Sequence, residues 1–184
     1  MTRAAPAATL GSVNLAELLV ALALLGLTLS GMLWALEQGQ QAYAIGEARV
    51  EAQQNGRIAL ERLTREIRAA GAGGRGFDAI SVAEPQRIVL HLDRSGDGLI
   101  SQRGETITWR LLGTVLRRDA GGGAQPVING VQSLALDYLD ARGQPTRVPG
   151  AVRTVAITLT TAGGSGAGRA GATTFTTEVR LRNR

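Results

Sequence analysis

Hydrophobic positions along this chain pass through three regimes. From Leu18 to Leu36 there is no ionisable side chain, and only Thr28 and Ser30 carry hydroxyls. Wound as an α-helix at about 1.5 Å per residue, those 19 residues span about 28 Å, close to the thickness of bilayer hydrocarbon. Glu17 stands at the lip of this segment, where a charge is costly and is a functional suspect by default. After Leu36 the pattern becomes amphipathic. Ile45, Ala48, Ala52, Ala59, Leu63, Ile67 and Ala70 recur at three-, four- or seven-residue steps, and Leu60 joins the same face. Glu61, Arg62, Arg65, Glu66 and Arg68 lie mostly off it, and Glu61 with Arg65 forms a favourable i,i+4 pair. No Pro occurs between Pro6 and Pro85, and the run AGAGGRG (Ala70 to Gly76) stops the helix. The expectation is one helix from about residue 13 to 70, roughly 85 Å long. No small domain is that wide, so one half must be anchored elsewhere.

Beyond Gly76 the period falls to two. Strands are expected at Arg87–Leu92, Thr106–Leu112, Thr114–Asp119, Ser133–Leu139, Arg153–Thr161 and Thr174–Arg182. Val155, Ile157 and Leu159 share one face with threonines opposite, and Phe175, Thr177, Val179 and Leu181 repeat the alternation. Such alternation suits an antiparallel sheet with one buried face, and the helix's apolar stripe is its natural cover. Gly113 and the segment Asp140 to Pro145 read as short connections of a meander, and Ala162 to Ala172 as a flexible loop. The fold class expected is α+β: a long N-terminal helix, half membrane-anchoring and half amphipathic, packed on a C-terminal antiparallel β-sheet domain. The corresponding divisions are an apolar segment 13–36, an amphipathic segment 37–70 and a β-rich domain 71–184.

Composition narrows the classes. Without Cys the chain has neither a disulfide framework nor a thiolate metal site. All 20 basic residues are Arg, and the formal charge is +5. The arginines are scattered along the chain, mostly with acidic neighbours, and the aromatics are far apart, so direct nucleic-acid binding is not the expected function. The apolar run is longer than a signal peptide's core and lacks a clean small-x-small exit. Arg3 precedes it, whereas Glu37, Glu47 and Glu51 follow with only Arg49 among them, which favours a cytoplasmic N-terminus and an external remainder.

One loop invites metal chemistry. The stretch DRSGDGLISQRGE, Asp93 to Glu105, approximates a calcium-loop pattern, with Asp93, Ser95, Asp97, the Leu99 carbonyl and Glu105 as oxygen donors around Gly98. The third position is Ser rather than Asp or Asn, Glu105 comes one residue late, and the flanks read as strands. The competing reading is a polar hairpin loop that uses Asp and Gly for its turns. His91, alternating with apolar residues, is expected to pack; Asp137 and Asp140 beside Tyr138 are expected to be solvated. Gly26 and Gly31 could allow close helix approach in the apolar segment. No G-x-S-x-G, H-E-x-x-H or P-loop is present, and an enzyme is not expected.

The N-terminal stretch VNLAELLVALALLGL, preceded by a short leader and a small residue, resembles type IV pilins and type II secretion pseudopilins. QQNGRIALERLTREIRAAG, Gln53 to Gly71, and the later order ITWRLL, turn, TVLRRD, PVINGV, LALDYLD look like minor pilins of the PilW kind and related J-type pseudopilins. The resemblance implies a leader over residues 1–12, cleavage by a prepilin peptidase between Ser12 and Val13, and N-methylation of Val13. It places Glu17 fifth in the mature chain. The family normally has Gly before the cut; cleavage between Gly11 and Ser12 would shift Glu17 out of that register by one. The implied partners are other minor and major pilins or pseudopilins, the prepilin peptidase and the inner membrane, with the β-domain periplasmic. The implied function is a minor pilin that helps initiate, prime or cap a type IV pilus. In that role the Glu17 carboxylate would pair with a neighbour's N-terminal amine. The alternatives are a minor pseudopilin of a type II secretion tip complex and a pilus-tip module that binds DNA or a surface.

Overall fold

A computed structural model describes residues 14–74, 76–162 and 172–183. The leader and both cleavage alternatives, Gly11, Ser12 and Val13, lie outside the described residues, as does most of the glycine-rich loop expected from Ala162 to Ala172. Contacts divide the chain into two compact units, Met1–Ala44 and Ile45–Arg184.

A single helix, α1, runs Leu15–Ala69. Its part in the first unit buries nothing: every residue from Asn14 to Gln38 is exposed. It is the one helix among the described residues long and apolar enough to cross a membrane. The part in the second unit buries the stripe Gly56, Ala59, Leu63, Thr64 and Ile67, as the 3.6-residue periodicity requires. Glu61 pairs with Arg57 (3.1 Å) rather than with Arg65, both side chains lying largely in solvent. Gly71, at φ +79°, closes the helix, and its N–H donates to the His91 carbonyl at 2.8 Å.

The strands are β1 (Ile80–Glu84), β2 (Arg87–His91), β3 (Thr106–Leu112), β4 (Val115–Asp119), β5 (Gln125–Ile128), β6 (Val131–Leu139), β7 (Thr154–Thr161) and β8 (Thr173–Arg180). They form two antiparallel sheets, not one: a five-stranded meander β1-β2-β3-β4-β5 and a three-stranded sheet β6-β7-β8. Two physical breaks account for the division. Pro126 in β5 lacks an N–H for a further ladder and suits an edge strand. Asn129 and Gly130 (φ +73°) then turn the chain, so that β6 pairs with β7 instead. Between β3 and β4, Gly113 at φ +60° leads a two-residue connection, the Gly-first pattern of a tight hairpin.

Both sheets contribute to one core. Ile88, Leu90, Ile107, Trp109, Leu116 and Ile128 from the first join Leu134, Leu136, Val155, Ile157 and Leu159 from the second, with Leu63 and Ile67 of the helix. The helix runs close to the three-stranded sheet at Gly56, where a Cβ would fall 2.6 Å from Phe175 Cε2 and 3.2 Å from Thr161 Cγ2. Tyr138 joins the sheets by donating its hydroxyl proton to the Glu84 carbonyl at 2.8 Å. Burial, foremost, pushes that phenol above its ordinary pKa.

Candidate functional site

Four groupings of polar side chains could carry function: the start of α1, a carboxylate clamp under the helix, the Asp93–Glu105 loop and the buried His91.

The helix start follows from Asn14. Its carbonyl accepts from the Leu18 N–H at 3.1 Å, and its Oδ1 lies 3.5 Å from the Ala16 N–H. That makes Asn14 the N-cap and puts Glu17 at the third helical position, where a carboxylate is favoured by the exposed amides and the helix dipole. Among the described residues, no other side chain bonds or pairs with Glu17. Beyond it the large apolar side chains from Leu18 to Leu36 stand 50–74% exposed on every side of the helix. The Thr28 hydroxyl donates back to the Leu25 carbonyl at 2.9 Å, so it adds no unsatisfied donor to this surface.

Glu66 is the residue that periodicity misassigns. It was expected off the apolar face, yet its carboxylate reaches under the helix to the sheet. Trp109 Nε1 donates to Oε2 at 2.6 Å, and Arg118 Nε donates to Oε1 at 2.8 Å. Trp109 and Arg118 are direct cross-strand partners on β3 and β4, so their side chains share the helix-facing side. The Glu66 and Arg118 side chains are each 17% exposed, and Arg62 adds a looser contact at 3.6 Å. The strand alternation visible around Trp109 could have indicated that Arg118 points inward, but nothing in the sequence sets its partner.

In the Asp93–Glu105 loop both carboxylates are turned inward. Asp93 Oδ1 accepts from the Gly96 N–H (2.6 Å) and the Ser95 hydroxyl (3.1 Å), and Oδ2 accepts from the Gly98 N–H (2.8 Å). Glu105 Oε1 accepts from the N–H groups of Arg94 and Ser95 (both 3.2 Å), and Oε2 from the Gln102 N–H (2.8 Å). Glu105 is fully buried. The Gly98 N–H, foremost, holds the Asp93 carboxyl below its ordinary pKa; the Gln102 N–H does the same for Glu105. Asp97 instead accepts from the Leu99 N–H at 2.8 Å. The structure therefore brings Asp93, Ser95 and Glu105 together around backbone donors, with Asp97 facing its own turn. Among the described residues no group of three or more His, Cys, Asp or Glu side chains is arranged to hold a metal. A cation on Asp93 and Glu105 would have to displace N–H groups that now organise the loop.

His91 is buried, with Nδ1 3.0 Å from Thr106 Oγ1 and Nε2 2.8 Å from Ser81 Oγ. Burial lowers its pKa and favours the neutral ring. Asp140, expected in solvent, caps its turn by accepting from the Arg142 and Gln144 N–H groups at 2.7 and 2.9 Å.

No family model matches the chain, and no curated protein matches it.

Proposed function

We propose that the protein is a membrane-anchored, filament-type assembly subunit, a minor pilin that helps initiate, prime or cap a type IV pilus. One observation carries this reading. A wholly exposed apolar helix surface from Leu18 to Leu36 begins at the single carboxylate Glu17, and the same continuous helix goes on to cover a β-domain. An all-round apolar helix needs lipid or other apolar helices as its surroundings. Both are provided in turn if the subunit first resides in the inner membrane and then enters a helical bundle. In such a bundle an uncompensated carboxylate is costly, and the N-terminal amine of a neighbour, Val13 after leader removal, supplies the opposite charge. Pairing of that kind favours one axial stagger between subunits, which gives Glu17 a role in register rather than in bulk stability. The β-domain then contacts other minor subunits outside the cytoplasmic membrane.

Leader processing is tested by a mass spectrum of the protein recovered from membranes. The reading requires a mature N-terminus at Val13, methylated, after loss of residues 1–12. An intact Met1 terminus would contradict it, whereas a terminus at Ser12 would mark the alternative cut after Gly11 and place Glu17 sixth in the mature chain. Identifying which pilins or pseudopilins co-purify with the assembled chain then separates a pilus from a type II secretion tip complex.

A further inference from the structure

Asparagine followed by glycine is the pairing in which a side-chain amide reacts most readily with the chain's own backbone, because glycine sets no Cβ beside its nitrogen. Four asparagines occur in this chain, and two of them, Asn55 and Asn129, precede glycine. Both line one groove of about 500 Å³ between α1 and the turn from β5 to β6, together with Glu51, Val127 and Gly130. Both are exposed, so water reaches each of them. Their backbones differ.

Asn55 sits within α1, and Gly56 after it is a buried helical residue whose N–H belongs to the helix's own hydrogen bonding. Helical dihedrals hold that nitrogen away from the Asn55 carboxamide, and only local opening of the helix would bring the two together. Asn129 lies outside the ladders, between Ile128 at the end of β5 and Val131 at the start of β6. Gly130 adopts φ +73°, and a Cβ placed on it would meet open space. The neighbouring hydrogen bonds pass its nitrogen by. The Val131 N–H donates to the Thr114 carbonyl at 2.9 Å, and the Gly130 carbonyl accepts from the Ala162 N–H at 2.7 Å. Among the described residues, neither the Gly130 N–H nor the Asn129 carboxamide has a hydrogen-bond partner. We propose that Asn129 is a site of self-modification, deamidating through a cyclic imide with Gly130, and that α1 protects Asn55 from the same reaction.

The only co-reactant is water. The Gly130 nitrogen gives up its proton and attacks Asn129 Cγ; the new N–C bond closes an imide ring, and the Cγ–Nδ2 bond breaks with release of ammonia. Water then adds to either ring carbonyl. Opening at the side-chain carbonyl gives aspartate. Opening at the original peptide carbonyl gives isoaspartate, in which the backbone runs through the side-chain carbons. Nothing is oxidised or reduced. Either product replaces a neutral amide with a carboxylate in the groove that Glu51 also lines, and lowers the formal charge of +5 by one. Isoaspartate also lengthens, by one carbon, the link through which the chain leaves the first sheet for the second. The Thr114 and Ala162 hydrogen bonds hold that link, so the change acts where the two sheets are joined.

The proposal is independent of the assembly reading, and Glu17→Ala should leave it untouched. The test incubates the full chain at neutral pH in heavy-oxygen water, once folded in non-ionic detergent and once in guanidinium chloride. Cleavage at arginine then places Asn55 in the peptide 50–57 and Asn129 in 119–142, one asparagine in each, for mass spectrometry. In the folded chain Asn129 should convert about tenfold faster than Asn55 or more, the factor that a local opening of about 1.4 kcal/mol imposes. Aspartate and isoaspartate should both appear at Asn129, each carrying heavy oxygen from the solvent. In denaturant the protection of Asn55 is lost, and the two rates should become similar. Equal rates in the folded chain would overturn the proposal, as would an Asn129 that converts only in denaturant or in neither state. Aspartate without isoaspartate would overturn it too, because direct hydrolysis of the amide bypasses the imide.

Discussion

At the scale of single residues, stability rests on a few buried polar groups whose partners are named above. Glu66 is the clearest. Removing its carboxylate leaves the Trp109 N–H and the Arg118 guanidinium facing a largely buried space without an acceptor. Glu66→Ala should cost about 2–4 kcal/mol, and Glu66→Gln less, because the amide oxygen still accepts one of the two bonds. Chemical denaturation of the full chain in detergent measures both. The buried His91 sets a pH limb of its own. Its folded pKa is depressed, so the unfolded chain takes up a proton first as pH falls below about 6.5. Stability should therefore decline with acidification from that point, and His91→Gln should flatten this limb. A second decline should follow below about pH 4, where Asp93, Glu105 and Asp140, all depressed by backbone N–H donors, lose stabilisation as pH falls through their folded pKa values. A melting profile from pH 7 to pH 3 for parent and variant resolves both limbs.

At the scale of elements, the close passage of α1 over the three-stranded sheet depends on the absence of a side chain at Gly56. Phe175 occupies the place a larger residue would need. Gly56→Val should destabilise by about 1–3 kcal/mol although it removes a helix-weakening glycine, and Gly46→Ala, with open space around it, should be neutral or slightly stabilising. Thermal melts of the two variants compare them directly. The Asp93–Glu105 loop is legible in part. Its Asp and Gly residues announce turn chemistry, but only the fold shows that Asp93 and Glu105 face backbone N–H groups. Calcium should accordingly produce no shift in melting temperature, and a calcium-dependent shift lost in Glu105→Gln would contradict that. The long helix and six of the strands are readable because uniform apolarity, a 3.6-residue stripe and period-two alternation are local properties. β1 is short and ends at Pro85, and β5 carries Pro126, so neither looks like a strand by itself. The division into two sheets and the inward reach of Glu66 depend on register, which no local pattern encodes.

At the scale of the whole molecule, two compact units share one helix and carry different physics. Residues Ile45–Arg184 bury an ordinary core between helix and sheets, whereas the apolar half of the helix stays exposed among the described residues. A surface of that kind is explained by its surroundings, and the proposed cycle supplies two: lipid before assembly and neighbouring helices after it. Glu17 distinguishes them. In the proposed membrane state its carboxylate, at the helix start, would reach headgroups and water; in the proposed bundle it would need a cationic partner. The direct test is to express Glu17→Ala in cells that build the filament, then to quantify the protein in the membrane and in sheared or affinity-purified assemblies. The account predicts membrane insertion at the parental level and loss of the variant from the assembly. Normal incorporation of Glu17→Ala into the filament or its tip complex would contradict it.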